Sequence, residues 1–245
     1  ETKVEHHSVD LSGNIPTFQN IDMLIHTASC VPAMAESNNQ FMSVNYVGAS
    51  RLIEKIKFNS DAKILNISSS SVYDDPQTDY LYENSVKIDK DSYGLSKLMF
   101  EKFLEKKFNN SSITFLNCRI PVLLVKNVQN NFISKWKKNI EQDKPITIFN
   151  PNSNLNACFL GSDIFPFFLS FINNYKENLT CNLSCSQPIT IIDAARLVMS
   201  QLKKDVRIIE KKTNQKAQLL SNELAIKFGL GPKTVKESLI AYLNS

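Results

Sequence analysis

Long apolar runs are missing from this 245-residue chain. The most apolar window, Ile164 to Ile172, falls far short of the roughly 20 residues that span a bilayer, so no membrane partner is expected. No signal peptide is visible, although the chain opens on Glu1 rather than a methionine. Cysteine is sparse and odd in number, at Cys30, Cys118, Cys158, Cys181 and Cys185, which excludes a disulfide framework in a chain of this size. Cys181 and Cys185 lack a His/Cys partner pair at zinc-site spacing, so no metal is expected. The five read as reduced thiols, mostly buried, in a cytoplasmic protein. Charge of one sign is lacking too: 28 basic against 24 acidic residues leave a net +4. The densest basic cluster, Lys135, Lys137 and Lys138 beside Trp136, reads as a solvated helix face, so no nucleic-acid partner is expected. Glycine is scarce, with six residues.

What is present alternates. Ile21–Ala28 reads as a short buried strand. From Asn38 to Phe58, Phe41, Val44, Val47, Leu52, Ile53 and Ile56 recur at helical spacing. Lys63–Ser68 reads as a second strand running into a serine-rich loop. Ser92–Phe108 reads as an amphipathic helix through Leu95, Leu98, Met99, Phe103 and Leu104, and Ile113–Ile120 as a third strand. Strands separated by helices of this length predict right-handed crossovers and a doubly wound parallel α/β sheet. Beyond Pro121 the texture changes to shorter strands and helices. Residues 1–121 are therefore expected to form the doubly wound domain and residues 122–245 mostly a smaller α/β lobe interleaved with the sheet. Gly231-Pro232 punctuates the approach to a last helix at Thr234–Leu243.

The chemistry-bearing signal is Tyr93-Gly94-Leu95-Ser96-Lys97. A tyrosine and a lysine four apart share one helical face. A nearby ammonium favours phenolate over phenol, as a general acid/base requires. Upstream, Ser68 to Ser71 stand at the C-terminal end of a parallel strand, where open α/β sheets place their ligands. His26 reads as strand packing rather than as a catalyst, and His6 and His7 as surface residues.

In this order the motifs resemble the extended short-chain dehydrogenase/reductase family, the NAD-dependent nucleotide-sugar epimerases, dehydratases and reductases. IDMLIHTAS resembles its fourth strand, NYVGASRLIE its following helix, ILNISSSSVY its serine-bearing strand and YGLSK its Y-x-x-x-K. FLGSDI and CNLSCSQPITIIDAARLV resemble segments of its substrate lobe. The resemblance implies a Rossmann-like NAD(P)-binding fold, NAD or NADP as cofactor and a nucleotide-linked sugar as substrate. It implies Ser69, Tyr93 and Lys97 as catalytic residues, with Tyr93 the acid/base and Lys97 binding the nicotinamide ribose. Ser69 is selected by standing four positions before Tyr73, and Ser68 and Ser70 remain alternatives. Asp10 and Leu11 would contact adenine, Ala28 and Ser29 would line the dinucleotide, and Asn45 would lie beneath the site. A homodimer through the 38–58 and 92–108 helices, as a four-helix bundle, is also implied.

Several departures sharpen these expectations. The family's G-x-x-G-x-x-G turn, which holds a pyrophosphate at a helix N-terminus, is absent. The given chain is therefore expected to lack the first βαβ unit and to bind NAD(P) poorly on its own. An arginine that grips the substrate diphosphate aligns with Asn156. Ser70 and Ser71 replace the Asp-Glu of the 4,6-dehydratases, which argues against dehydration. Epimerase or reductase chemistry is the expectation, and a catalytically silent binding relative is the alternative.

Overall fold

A computed structural model describes residues 5–73, 79–85, 92–126, 131–214 and 219–245. Four strands form the principal sheet: β1 (Phe18–His26), β2 (Ile56–Ser69), β3 (Thr114–Ile120) and β4 (Leu179–Asn182), ordered β1-β2-β3-β4. β1 and β2 run parallel, with Leu24 opposite Ile64 and His26 opposite Asn66. Both strands therefore end at the same edge of the sheet. This is the expected α/β architecture with a central parallel sheet.

The chain folds into two compact units built from interleaved segments. The first comprises 1–68, 89–117 and 176–179; the second comprises 69–88, 118–175 and 180–245.

In the first unit, helix α1 is continuous across three stretches, Asn38–Gln40, Phe41–Gly48 and Ala49–Lys55, and its middle stretch is π-helical. Helix α2 spans Ser92–Phe108 and carries Lys106 and Lys107 in its last turn, where cations complement the helix dipole. Asn110 then turns into the left-handed region at φ 66°. The core between helices and sheet holds Ala49, Ile53, Ile64, Phe100, Leu104, Phe108 and Phe115. Burying each Leu, Ile or Phe contributes about 1.5–3 kcal/mol. Gly48 lets α1 approach closely, because a Cβ there would come within 2.5 Å of the Leu11 carbonyl oxygen.

Two expectations are corrected in this unit. Among the described residues β1 lies at the edge of the sheet rather than buried within it: Met23 and Ile25 are 39% and 53% exposed and only His26 of this strand is fully buried. Apolar residues on both faces of a short run do not by themselves say that both faces are covered. The first helix also ends at Lys55 rather than Phe58, since Ile56 is already extended and pairs with Phe18. Phe58 keeps the apolar rhythm from the sheet, packing edge-on against Phe108 at 6.0 Å.

In the second unit, short strands pair in twos: Val122–Leu124 with Cys158–Leu160, Ile146–Phe149 with Ile208–Lys211, Asn154–Leu155 with Ile189–Thr190, and Tyr80–Leu81 with Leu219–Leu220. Helices Phe132–Glu141, Ile191–Leu202 and Val235–Leu243 share a core with Trp136, Ile140, Ile146, Val198 and Leu239. Their starts are written in the sequence. Asn131 with Ser134, and Thr234 with Glu237, form capping boxes, and Thr190 caps the helix between them. Trp136 faces inward and donates its indole N–H to the Thr147 carbonyl at 3.1 Å, while Lys135 and Lys138 are exposed. Among the described residues no helix is long and apolar enough to cross a membrane.

Candidate functional site

Tyr93 and Lys97 lie on α2 in the first unit. Tyr93 is half-buried and sets its ring edge-on to Phe41 at 5.6 Å. Lys97 is only 4% exposed. Burial disfavours its ammonium and brings the pKa down to about 8, while the Glu101 carboxylate one turn further on opposes the shift. Between them, the buried Ser96 donates to the Tyr93 carbonyl at 2.7 Å.

Asn45, in the π-helical stretch of α1, ties this helix to the loop after β1. Its Nδ2 donates to the Ser96 Oγ at 3.1 Å and to the Cys30 carbonyl at 2.9 Å. Its Oδ1 accepts from the Cys30 backbone N–H at 2.7 Å and from the Ser29 Oγ at 3.2 Å. A buried amide with donors and acceptors all occupied fixes geometry, since a misplaced partner would leave a polar atom unsatisfied. Ser29, Asn45 and α2 are thus brought together, and Ala28 is exposed in the same loop. Asp10 is exposed, its Oδ1 accepting from both the backbone N–H and the hydroxyl of Ser12. Leu11 is buried against Gly48.

His26 packs as the sequence suggests. Its ring lies 5.0 Å from Phe100. Burial first, and the neighbouring Lys97 charge second, push its pKa down to about 4, so it is neutral at ordinary pH.

The serines at the end of β2 differ in what they touch. Ser68 donates its hydroxyl to the buried Glu101 carboxylate. Ser69 belongs to the second unit, and its Oγ accepts from the Ser71 N–H at 3.1 Å, capping a short 3₁₀ turn. Ser70 closes that turn by accepting from the Tyr73 N–H at 3.2 Å. Tyr73 anchors the turn in a buried polar cluster. Its hydroxyl donates to Asn182 Oδ1 at 2.5 Å and accepts from Arg119 Nη1 at 3.0 Å. Asn182 in turn donates its backbone N–H to the Glu83 carboxylate at 2.8 Å. Burial pushes the Tyr73 phenol up to about 12, against the pull of Arg119, and also raises Glu83.

Asn156 is spent on structure. Its Nδ2 donates to the Leu220 carbonyl at 2.8 Å and its Oδ1 accepts from the Leu220 N–H at 2.9 Å, pinning the strand Leu219–Leu220. All five cysteines are free thiols, with Cys30 the one partly exposed. The Cys158 and Cys185 sulfurs are 3.7 Å apart. Sequence reasoning missed Glu101, Ser96 and the polar cluster around Tyr73. Glu101 could have been found as the acid one helical turn beyond Lys97, whereas the contacts of Tyr73 join segments 109 residues apart and carry no local signal.

No curated protein matches the chain in sequence. Solved structures do match in shape. The UDP-glucuronic acid 4-epimerase of Bacillus cereus, crystallised with UDP-glucuronic acid and NAD, is 18% identical with a TM-score of 0.77, covering 91% of this chain and 74% of its own. RMD of Pseudomonas aeruginosa, complexed with NADPH, is 18% identical at TM-score 0.76, covering 91% and 80%. The Thermus thermophilus UDP-glucose 4-epimerase, complexed with NAD, is 14% identical at TM-score 0.75, covering 91% and 77%. At such identities these likenesses establish the fold. The sequence model of the NAD dependent epimerase/dehydratase family matches residues 7–177, well over half of the chain and including every residue from Asp10 to Lys97 discussed above, and the chain belongs to that family.

Proposed function

We propose that this chain is an NAD(P)-dependent epimerase or reductase acting on a nucleotide-linked sugar, with Tyr93 as the acid/base. The observation that carries this reading is the half-buried phenol of Tyr93 on the same helical face as a buried ammonium, Lys97. The residues of the first unit fit a dinucleotide. The loop after β1 is held by Asn45 with Ala28 exposed. Asp10 retains Oδ2 as an acceptor for an adenine amine.

When bound, the nicotinamide supplies the hydride chemistry. Tyr93 exchanges the proton of a sugar hydroxyl, and an ammonium nearby favours the anionic form that accepts it. Lys97 also offers its N–H donors to the ribose. Ser69 is proposed to hydrogen-bond the sugar, and Asn45 to hold Ser29 and the start of α2 in place. The free carbonyl ends of parallel strands are where such ligands lie. The spending of Asn156 on Leu220 means that any grip on a diphosphate comes from another residue. We further propose a homodimer through α1 and α2, on which Val47 is exposed and Met42, Val44 and Phe103 are only partly covered.

The test is Tyr93→Phe, assayed with NAD or NADP and a panel of nucleoside-diphosphate sugars. Turnover should fall by about 10²–10⁴-fold, the usual worth of a positioned acid/base, with cofactor binding retained. Wild-type turnover in the variant, or failure of the parent protein to bind either cofactor, overturns the reading.

A further inference from the structure

Glu101 is 0% exposed. A carboxylate so deeply placed must be paired or pay heavily for its burial. It lies one helical turn after Lys97 on α2, the spacing at which side chains meet, and accepts the hydroxyl of Ser68 from the end of β2. The mechanism assigns it nothing. Lys97 is itself buried, so the energetic question is what keeps an ammonium there at all.

The surroundings answer it. From β1 comes His26, kept neutral by burial first and by the Lys97 charge second. From β2 comes the buried hydroxyl of Ser68, which donates to Glu101. From α1 comes Asn45, whose polar atoms are committed to Cys30, Ser29 and Ser96, the residue next to Lys97. On α2 stands Tyr93. The acid that acts on Lys97 is Glu101.

We propose that Glu101 is a positioning residue: from beneath the site it holds Lys97 in its charged form, while Ser68 fixes the carboxylate between β2 and α2. The proposal rests on the reading of Lys97 as the residue that tunes Tyr93. Glu101 then touches neither substrate nor cofactor and works through Lys97.

The experiment follows the Lys97 side chain by NMR of protein labelled with ¹³C at the lysine ε carbon, titrated between pH 6 and 11, with the Lys97 signal assigned by its loss in Lys97→Met. In Glu101→Gln the Lys97 midpoint should fall by at least about one pH unit, because a neutral amide no longer opposes desolvation. The alkaline limb of kcat should move down with it while KM for the sugar stays unchanged. Glu101→Asp keeps the charge but draws it back by one methylene, and should give a smaller shift in the same direction. It also serves if the Gln variant does not fold. A folded Glu101→Gln or Glu101→Asp protein whose Lys97 titrates as in the wild type overturns the proposal. The titration needs neither cofactor nor turnover, so loss of the enzymatic reading alone would show as inactivity beside a normal Glu101-dependent midpoint.

Discussion

Two helices, one from each unit, bury different things. The helix Ile191–Leu202 buries Ala194, Ala195, Val198 and Met199, starts on a Thr190 cap and ends in a left-handed Lys203. Every buried position is apolar, as an amphipathic surface helix requires. Helix α2 buries Leu98, Phe100, Leu104 and Phe108, but also Ser96, Lys97 and Glu101. The first helix is explained by packing alone. The second carries polar groups whose burial costs free energy, so packing alone does not explain it.

The contrast between the two regions should show most strongly in the apolar one. There, Leu239→Ala should cost about 2–5 kcal/mol, the worth of a fully buried leucine plus its cavity. Urea unfolding would show this, with the Lys97 titration midpoint unmoved. A shifted midpoint would break the separation drawn between the two regions. In the polar region, the expected signature is pH. His26 has a folded pKa of about 4 against 6.5 in the unfolded chain. The unfolded state therefore binds the extra proton between those values. The stability tied to the neutral ring is full above pH 6.5 and drains away as pH falls through 4, by up to about 3 kcal/mol. His26→Leu should flatten that part of the stability curve, and an unchanged acid slope would count against a neutral buried imidazole. The smallest effect belongs to the cap. Thr190→Ala should cost about 1 kcal/mol by loss of the hydroxyl that accepts from the Asp193 N–H, visible as a lower urea midpoint with an unchanged slope.

Much of the architecture was legible because it is periodic. The helix Ser92–Phe108 and the strand pattern that predicts a parallel sheet stand in the chain as alternation and spacing. Helix starts at Asn131, Thr190 and Thr234 are written in single residues. Exposure was harder to read. Met23 and Ile25 look like core, yet they belong to an edge strand, because coverage is decided by what else packs there. The extra length of β2, from Ile56 to Ala62, was hidden where the apolar rhythm at Ile56 and Phe58 fits helix and strand alike.

For the proposed site, the spacing of Tyr93 and Lys97 stands in the sequence, as does the distance of Ser69 from Tyr73. Glu101 was not legible there, since lysine and glutamate four apart read as a solvated ion pair. Only burial, which the fold imposes on both Lys97 and Glu101, sets that pattern apart from an ordinary surface one. The meeting of Tyr73, Arg119, Asn182 and Glu83 arises from chain segments brought together by the fold and has no counterpart in local sequence.

The π-helical stretch Phe41–Gly48 also says something about how this protein can change by insertion and deletion. A π turn accommodates one more residue than an α turn, so the helix segments on its two sides are out of phase by about 100° relative to an uninterrupted α-helix. Removing one residue from this stretch would let the helix run on as plain α and would rotate one side against the other. Asn45 and Gly48 could then no longer face Cys30 and Leu11 together. Point substitutions along α1 are thus read one side chain at a time, whereas a single-codon deletion there acts as a gear shift for the whole helix.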